Sequence, residues 1–281
     1  MPSKRIDAHQ HFWVYTPEQY AWIDESMASV RRDFLPPHLR HEIHRAGIDG
    51  VICVQARQTI EETRWLLQLA AGNDFIKGVV GWVPLIDPAV DALLASLTEN
   101  RLLKGVRHVL QGEPDDLYML RDDFNRGIDA LEPFGLVYDI LIFERHLPAA
   151  IEFVDRHPSQ TFVLDHIAKP RIREGILSPW NENLRALAQR ENVYCKISGM
   201  VTEAGYQTWT EDNLAPYFDA VLEAFGPKRL MFGSDWPVCL VATTYAQWFD
   251  LVRGRIAALS QDEQDSILGG TAARAYSLNL A

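Results

Sequence analysis

His9 and His11 stand two positions apart in the segment RIDAHQH, the sharpest chemical signal in the chain. Residues i and i+2 of a strand point to one side, so both imidazoles can face one metal ion or one substrate. Alone, the pair is equally consistent with one packed and one solvated histidine. Other segments add weight: Asp235 follows an apolar run in RLMFGSDW, His166 lies in TFVLDHIAKP, and Arg107 and His108 close LKGVRH. A carboxylate beside imidazoles supplies what hydrolysis needs, a group to take a proton from water and groups to polarise a carbonyl. Each residue also has a plainer reading. Asp235 suits a turn aspartate, and His166 a core histidine bonded to backbone. Lys196 suits a buried partner of Asp139 or Asp165, since it is hard to bury unpaired.

These residues need elements that bring them together. Eight short apolar, β-branched runs begin at Arg5, Asp49, Phe75, Leu103, Gly135, Thr161, Asn192 and Arg229. They lack clean alternation, as expected of parallel strands buried on both faces. Between them lie helical patterns. Phe124, Ile128 and Leu131 share a face with Gly135 as a C-terminal stop; Leu147, Ile151 and Val154 do the same before Pro158; Ile60 to Ala71 ends at Gly72. Strict β/α alternation leaves a closed barrel or an open doubly wound sheet. No GxGxxG or GxxxxGK[ST] supports the open sheet. The expectation is one α/β domain over residues 1–281, a (β/α)8 TIM barrel, with the long first connection from Phe12 to about Leu35 covering its mouth.

In such a barrel the functional end is the C-terminal end of each strand. Strand 1 ends in His9 and His11, strand 2 in Gln55 and Arg57, strand 3 in Trp82, and strand 4 in Arg107 and His108. Strand 5 carries Asp139, strand 6 Asp165, His166 and Lys169, strand 7 Lys196, and strand 8 Asp235 and Trp236. Strand 8 neighbours strand 1, so Asp235 is expected to meet the two histidines. Arg107 and His108 point in opposite directions, and His108 is favoured to face inward. Gln55 and Arg57 suit hydrogen bonds to hydroxyls, and Trp13, Trp82 and Trp236 an apolar ring face. His38, His41 and His44 read as a solvated helix face. Ser198 and Ser234 lack a GxSxG context, and Cys53, Cys195 and Cys239 read as buried thiols.

Composition bounds the partners. The 281 residues carry a formal net charge of −11, which argues against nucleic acid. No apolar run is long enough for a membrane span, and the N-terminus lacks a signal-peptide core. Odd, scattered cysteines suit a reducing compartment, so the expected location is cytoplasmic. Pattern alone does not give the oligomeric state.

The phrases RIDAHQHFW, VVGWV, KGVRHV, VLDHIAKP, YCKISG, LMFGSDWPV and GGTAARAY together resemble the amidohydrolase superfamily. More narrowly, the chain is similar to its sugar-lactonase branch, of the L-fuconolactonase and L-rhamnonolactonase type. Thr271 stands where relatives often carry Asn, a capping role Thr can fill. The resemblance implies a barrel that hydrolyses a ring ester, here a sugar lactone, to the aldonic acid. It matches His9 and His11 to the strand-1 pair, His166 to the strand-6 histidine and Asp235 to the strand-8 aspartate. Asp235 is expected to activate water, with His166 or a bound metal polarising the carbonyl and His108 and Arg107 close by. Substrate contacts are expected from Trp13, Gln55, Arg57, Trp82, Arg107, Asp139, Lys169, Lys196 and Trp236. Strand 5 offers Asp139 rather than histidine, and strand 4 offers no bridging lysine, so a binuclear centre is not expected. One Zn2+ on His9, His11 and Asp235 and a metal-independent site both remain open. Two other reactions stay in view, a dicarboxylate lactone hydrolase and a metal-dependent decarboxylase of the aminocarboxymuconate type.

Overall fold

In the computed structural model, which describes residues 3–280, all eight apolar runs are strands of one parallel sheet. They are β1 (Ile6–Gln10), β2 (Gly50–Val54), β3 (Ile76–Gly81), β4 (Leu103–His108), β5 (Val137–Ile140), β6 (Phe162–Leu164), β7 (Val193–Ile197) and β8 (Leu230–Phe232). Neighbours in sequence are neighbours in the sheet. The ring closes just beyond β8, where Asp235 N–H donates to the His9 carbonyl at 2.8 Å and His11 N–H to the Trp236 carbonyl at 2.7 Å. The architecture is a (β/α)8 barrel.

The helices begin where the sequence caps them. Thr59 accepts from Glu62 N at the start of Ile60–Ala71, Thr210 from Asn213 N before Glu211–Phe225, and Thr244 from Gln247 N before Tyr245–Ile256. The helix expected through Leu131 instead ends at Asp129. A separate 3-10 turn, Glu132–Phe134, carries the chain to left-handed Gly135, because Pro133 cannot donate the backbone bond a continuing helix needs. His38, His41 and His44 are exposed on Pro36–Ala46, and the three cysteines are free and buried. No helix among the described residues is long and apolar enough to cross a membrane.

The core has two shells. The larger lies between barrel and helices. The smaller fills the barrel, where Ile6, Ala8, Ile52, Val54, Val80, Val137, Val163 and Met231 pack with Ala272 and Tyr276 of the C-terminal segment. One layer further up the strands this filling turns charged, with Asp139, Asp165, Lys196, Arg107 and His9 all buried. The interior therefore reads as an apolar plug under an ionic layer, and the candidate site rests on that layer.

Candidate active site

A break in β1 sets the direction of its histidines. Ile6 and Ala8 face the barrel interior, so simple alternation would send Gln10 inward next. Between Asp7 and Gln10 the pairing with β2 slips by one residue, from Asp7 opposite Val51 to Gln10 opposite Cys53. This bulge turns His9 and His11 inward together, the re-aiming bulges produce beside active sites. Asp7 supports it by accepting from His9 N at 3.1 Å, Ser234 N at 2.9 Å and the Tyr245 hydroxyl at 3.0 Å.

The strand-6 end is built at a cost. His166, Ile167, Ala168 and Lys169 all have positive φ, of 51°, 50°, 61° and 46°. Left-handed backbone costs an L-residue roughly 1–2 kcal/mol each, so packing must impose it. Trp180 Nε1–H donates to the Ile167 carbonyl at 2.8 Å, and Lys169 N–H closes the turn on the His166 carbonyl at 2.8 Å. Residues three apart eclipse in so tight a turn, which presents His166 and Lys169 on one side. Gly199 makes room: a Cβ there would lie 2.8 Å from the His166 ring. Asp235 is also left-handed, at φ 57°.

Four side chains converge. His9 Nε2 is 3.2 Å from His11 Nε2 and 3.8 Å from Asp235 Oδ1. His11 Nε2 is 3.4 Å and His166 Nε2 4.0 Å from the same oxygen. Burial alone would raise the Asp235 carboxyl, but His166, His11 and His9 outweigh it and hold it well below the usual range, so it is ionised. Burial pushes His166 down to about 4 and His9 well below its ordinary value, leaving both neutral. His11 Nδ1 lies 2.8 Å from the Val54 carbonyl, which can only accept, so its Nε2 keeps a lone pair. His166 Nδ1 lies 2.8 Å from Ser198 Oγ. When that hydroxyl donates, the ring proton sits on Nε2, facing Asp235.

The donor set fits a divalent cation. His9 Nδ1 lies 3.2 Å from both Asp165 Oδ1 and Lys196 Nζ; in the tautomer that donates to Asp165, both Nε2 lone pairs converge with the Asp235 carboxylate. Tetrahedral zinc with ligands at roughly 2.0–2.2 Å has donor–donor edges of about 3.3–3.6 Å, close to the spacings of His9, His11 and Asp235. Beneath them the ionic layer is closely bonded. Asp165 takes Arg107 Nη1 at 2.9 Å and Lys196 Nζ at 3.0 Å, and Lys196 also meets Asp139 at 2.5 Å. Tyr276 donates to Asp139 at 2.7 Å. Lys196, His9 and Arg107 overcome the burial that would raise Asp165 and hold it ionised.

The expected rim residues divide. Arg107, not His108, turns into the barrel, where it lies 3.4 Å from His9 Nε2 and is held by the side-chain and backbone oxygens of Gln55. His108 alternates outward, accepts from Trp82 Nε1 at 3.3 Å, meets Glu113 at 2.6 Å and stacks on Tyr118. Arg57 packs over Tyr20 near buried Glu62. Trp13 donates to the Arg32 carbonyl, and Trp236 packs against Phe12 and Phe34. Asp139 and Lys196 belong to the ionic layer.

Above the four convergent groups are two adjoining chambers. The inner, about 190 Å3, is lined by His11, Arg107, Gln111, Leu141, His166 and neighbours; the outer, about 560 Å3, by Phe143, Arg145, Arg171, Arg173, Glu203, Tyr206 and others. Trp22, Lys169, Asp235 and Val238 line both. Trp22 comes from the long first connection, which therefore does cover the mouth. Trp22, Gln111, Gly199 and Glu203 escaped sequence reasoning, and Ser198 figures there only as an unsupported nucleophile. Their only available signal was position, in the loops that follow β1, β4 and β7.

Convergent imidazoles and a carboxylate at the strand ends of a parallel barrel are the layout of a (β/α)8 enzyme. The chain belongs to the amidohydrolase family, whose sequence pattern matches residues 6–278. It is 43% identical to an L-fucono-1,5-lactonase of Burkholderia multivorans, over 99% of this chain and 97% of that protein. It is 36% identical to an L-fucono-1,5-lactonase of Burkholderia ambifaria, over 98% and 96% of the two chains. A crystal structure of an amidohydrolase from Burkholderia multivorans with bound Zn matches the fold with a TM-score of 0.94 at 42% identity, covering 99% of this chain and all of the other.

Proposed function

We propose that this enzyme is a sugar lactonase that opens an L-fucono-, L-galactono- or L-rhamnonolactone-type ring to its aldonic acid. The observation that carries the reading is one ionised carboxylate, Asp235, meeting three buried imidazoles at the floor of a two-part cavity. The lactonase names of full-length relatives support the same chemistry. Asp235 takes a proton from the attacking water and returns it to the departing ring oxygen. His166, neutral and oriented by Ser198, offers Nε2–H to the carbonyl oxygen as charge builds there. Arg107 adds a fixed positive charge beside His9, whereas His108, also expected close by, turns away to Trp82 and Glu113. His9, His11 and Asp235 would hold a divalent metal, zinc being the one a relative carries. Such an ion supplies carbonyl polarisation and lowers the pKa of bound water.

A dicarboxylate lactone would also find cations here, in Lys169, Arg145, Arg171 and Arg173 of the outer chamber. Glu144, Glu174 and Glu203 share that wall and offset them, which favours a neutral, hydroxylated substrate. The test is a lactone panel assayed on chelator-stripped and zinc-loaded protein. We expect L-fucono-1,5-lactone to turn over fastest, and a preference for pyrone dicarboxylates, or turnover of no lactone, would sink the reading.

A further inference from the structure

Among the buried charges near the barrel axis, opposite charges meet closely, at 2.5–3.0 Å along the Asp139–Lys196–Asp165–Arg107 chain. Lys169 and Glu203 break that pattern. Their charged atoms are 4.0 Å apart, beyond hydrogen-bond reach, with side chains only 18% and 26% exposed. Neither side chain makes a hydrogen bond among the described residues. An ion pair this loose contributes little to stability, yet the chain accepts a left-handed turn that delivers Lys169 beside His166. The ammonium also sits over the Phe143 ring, 5.6 Å from its centroid. Lys169 lines both chambers, and Glu203 shares the outer one with Asp235.

Spare donors face spare acceptors across a gap opening on the reacting carboxylate. We propose that Lys169 and Glu203 together grip one ring hydroxyl of the substrate and so decide which hydroxylation pattern is accepted. A carboxylate only accepts and an ammonium only donates, whereas a hydroxyl does both. An oxygen seated between them, about 2.8 Å from each, donates to Glu203 and accepts from Lys169 at once. A ring without that hydroxyl would close the site over two unanswered charges, the most discriminating kind of contact. The inference rests on the lactonase reading and adds Glu203 to the substrate contacts.

The test compares wild type, Glu203→Leu, Lys169→Met and the double variant on L-fucono-1,5-lactone and on δ-valerolactone, a ring ester without hydroxyls. The quantity read is the ratio of the two kcat/KM values. Each single variant should lower it about 10- to 100-fold, mainly through KM for the hydroxylated ring. The double variant should be no worse than the worse single, and Glu203→Gln, which keeps an acceptor, should restore part of the ratio. An unchanged ratio, or equal losses on both lactones, overturns the proposal. If wild type opens neither lactone, the lactonase reading falls first. Calorimetric titration of L-fuconate then decides: affinity at least tenfold weaker in Glu203→Leu supports the couple, and unaltered affinity refutes it.

Discussion

In the proposed mechanism Asp235 carries the largest chemical burden of any single residue. It is the anion that three imidazoles surround, and its backbone closes the barrel against His9. Asp235→Asn keeps the shape and removes the base, so kcat should fall by about 10²–10⁴ with the melting temperature little changed. Wild-type turnover by that variant would remove Asp235 from its assigned role. The pH profile tests the same pair. Asp235 is held ionised far into acid, and burial sets His166 at about 4. Both groups are therefore in their working forms above about pH 5. The rate should be level toward neutrality and fall only as pH drops through about 4, where His166 becomes an imidazolium that pairs with Asp235 and weakens it as a base. A pH–rate curve with an acid limb near 6.5 would show that His166 is solvated and ordinary.

At the scale of elements, the site depends on a bulge, a left-handed turn and a glycine that makes room for it. Gly199, at φ +68°, lies under the His166 ring. Gly199→Ala would force a Cβ to 2.8 Å from that ring as well as straining the backbone. We expect a loss of roughly 1–2 kcal/mol of stability and about 100-fold in kcat from a displaced imidazole. Gly135→Ala separates the two effects, since φ is +63° there and nothing lies within 4 Å of the added carbon. It should lose comparable stability and keep its activity. If both variants stay equally active, the Gly199–His166 contact has no functional weight.

On the scale of the whole molecule, the barrel interior is a stack, with the C-terminal Tyr276 below, an ionic layer across the middle and the site above. Lys196 is its keystone, meeting Asp139 and Asp165 with no exposure. Lys196→Met leaves buried Asp139 without a cation and Asp165 with Arg107 alone, which typically costs about 3–5 kcal/mol. Adding Asp139→Asn should recover part of that loss. Urea denaturation measures both, and a loss below about 1 kcal/mol would mean the layer is solvated rather than buried.

The sequence by itself determined the eight-strand parallel barrel. Strands buried on both faces need unbroken apolar runs, and Thr59, Thr210 and Thr244 start helices by local hydrogen bonds that need no distant partner. It also marked His9, His11, His166 and Asp235 as candidates, because an ionisable group ending an apolar strand stands out against its neighbours. Only the tertiary structure decided which way side chains face. The β1 bulge, the inward turn of Arg107 rather than His108 and the left-handed His166–Lys169 turn arise from pairing and packing between segments far apart in the chain, and no local pattern encodes them. The break of the helix beyond Asp129 at Pro133 was written in the residues but outweighed by periodicity. Glu203 shows the same limit, since its spare hydrogen-bonding capacity exists only where the loop after β7 meets the turn after β6.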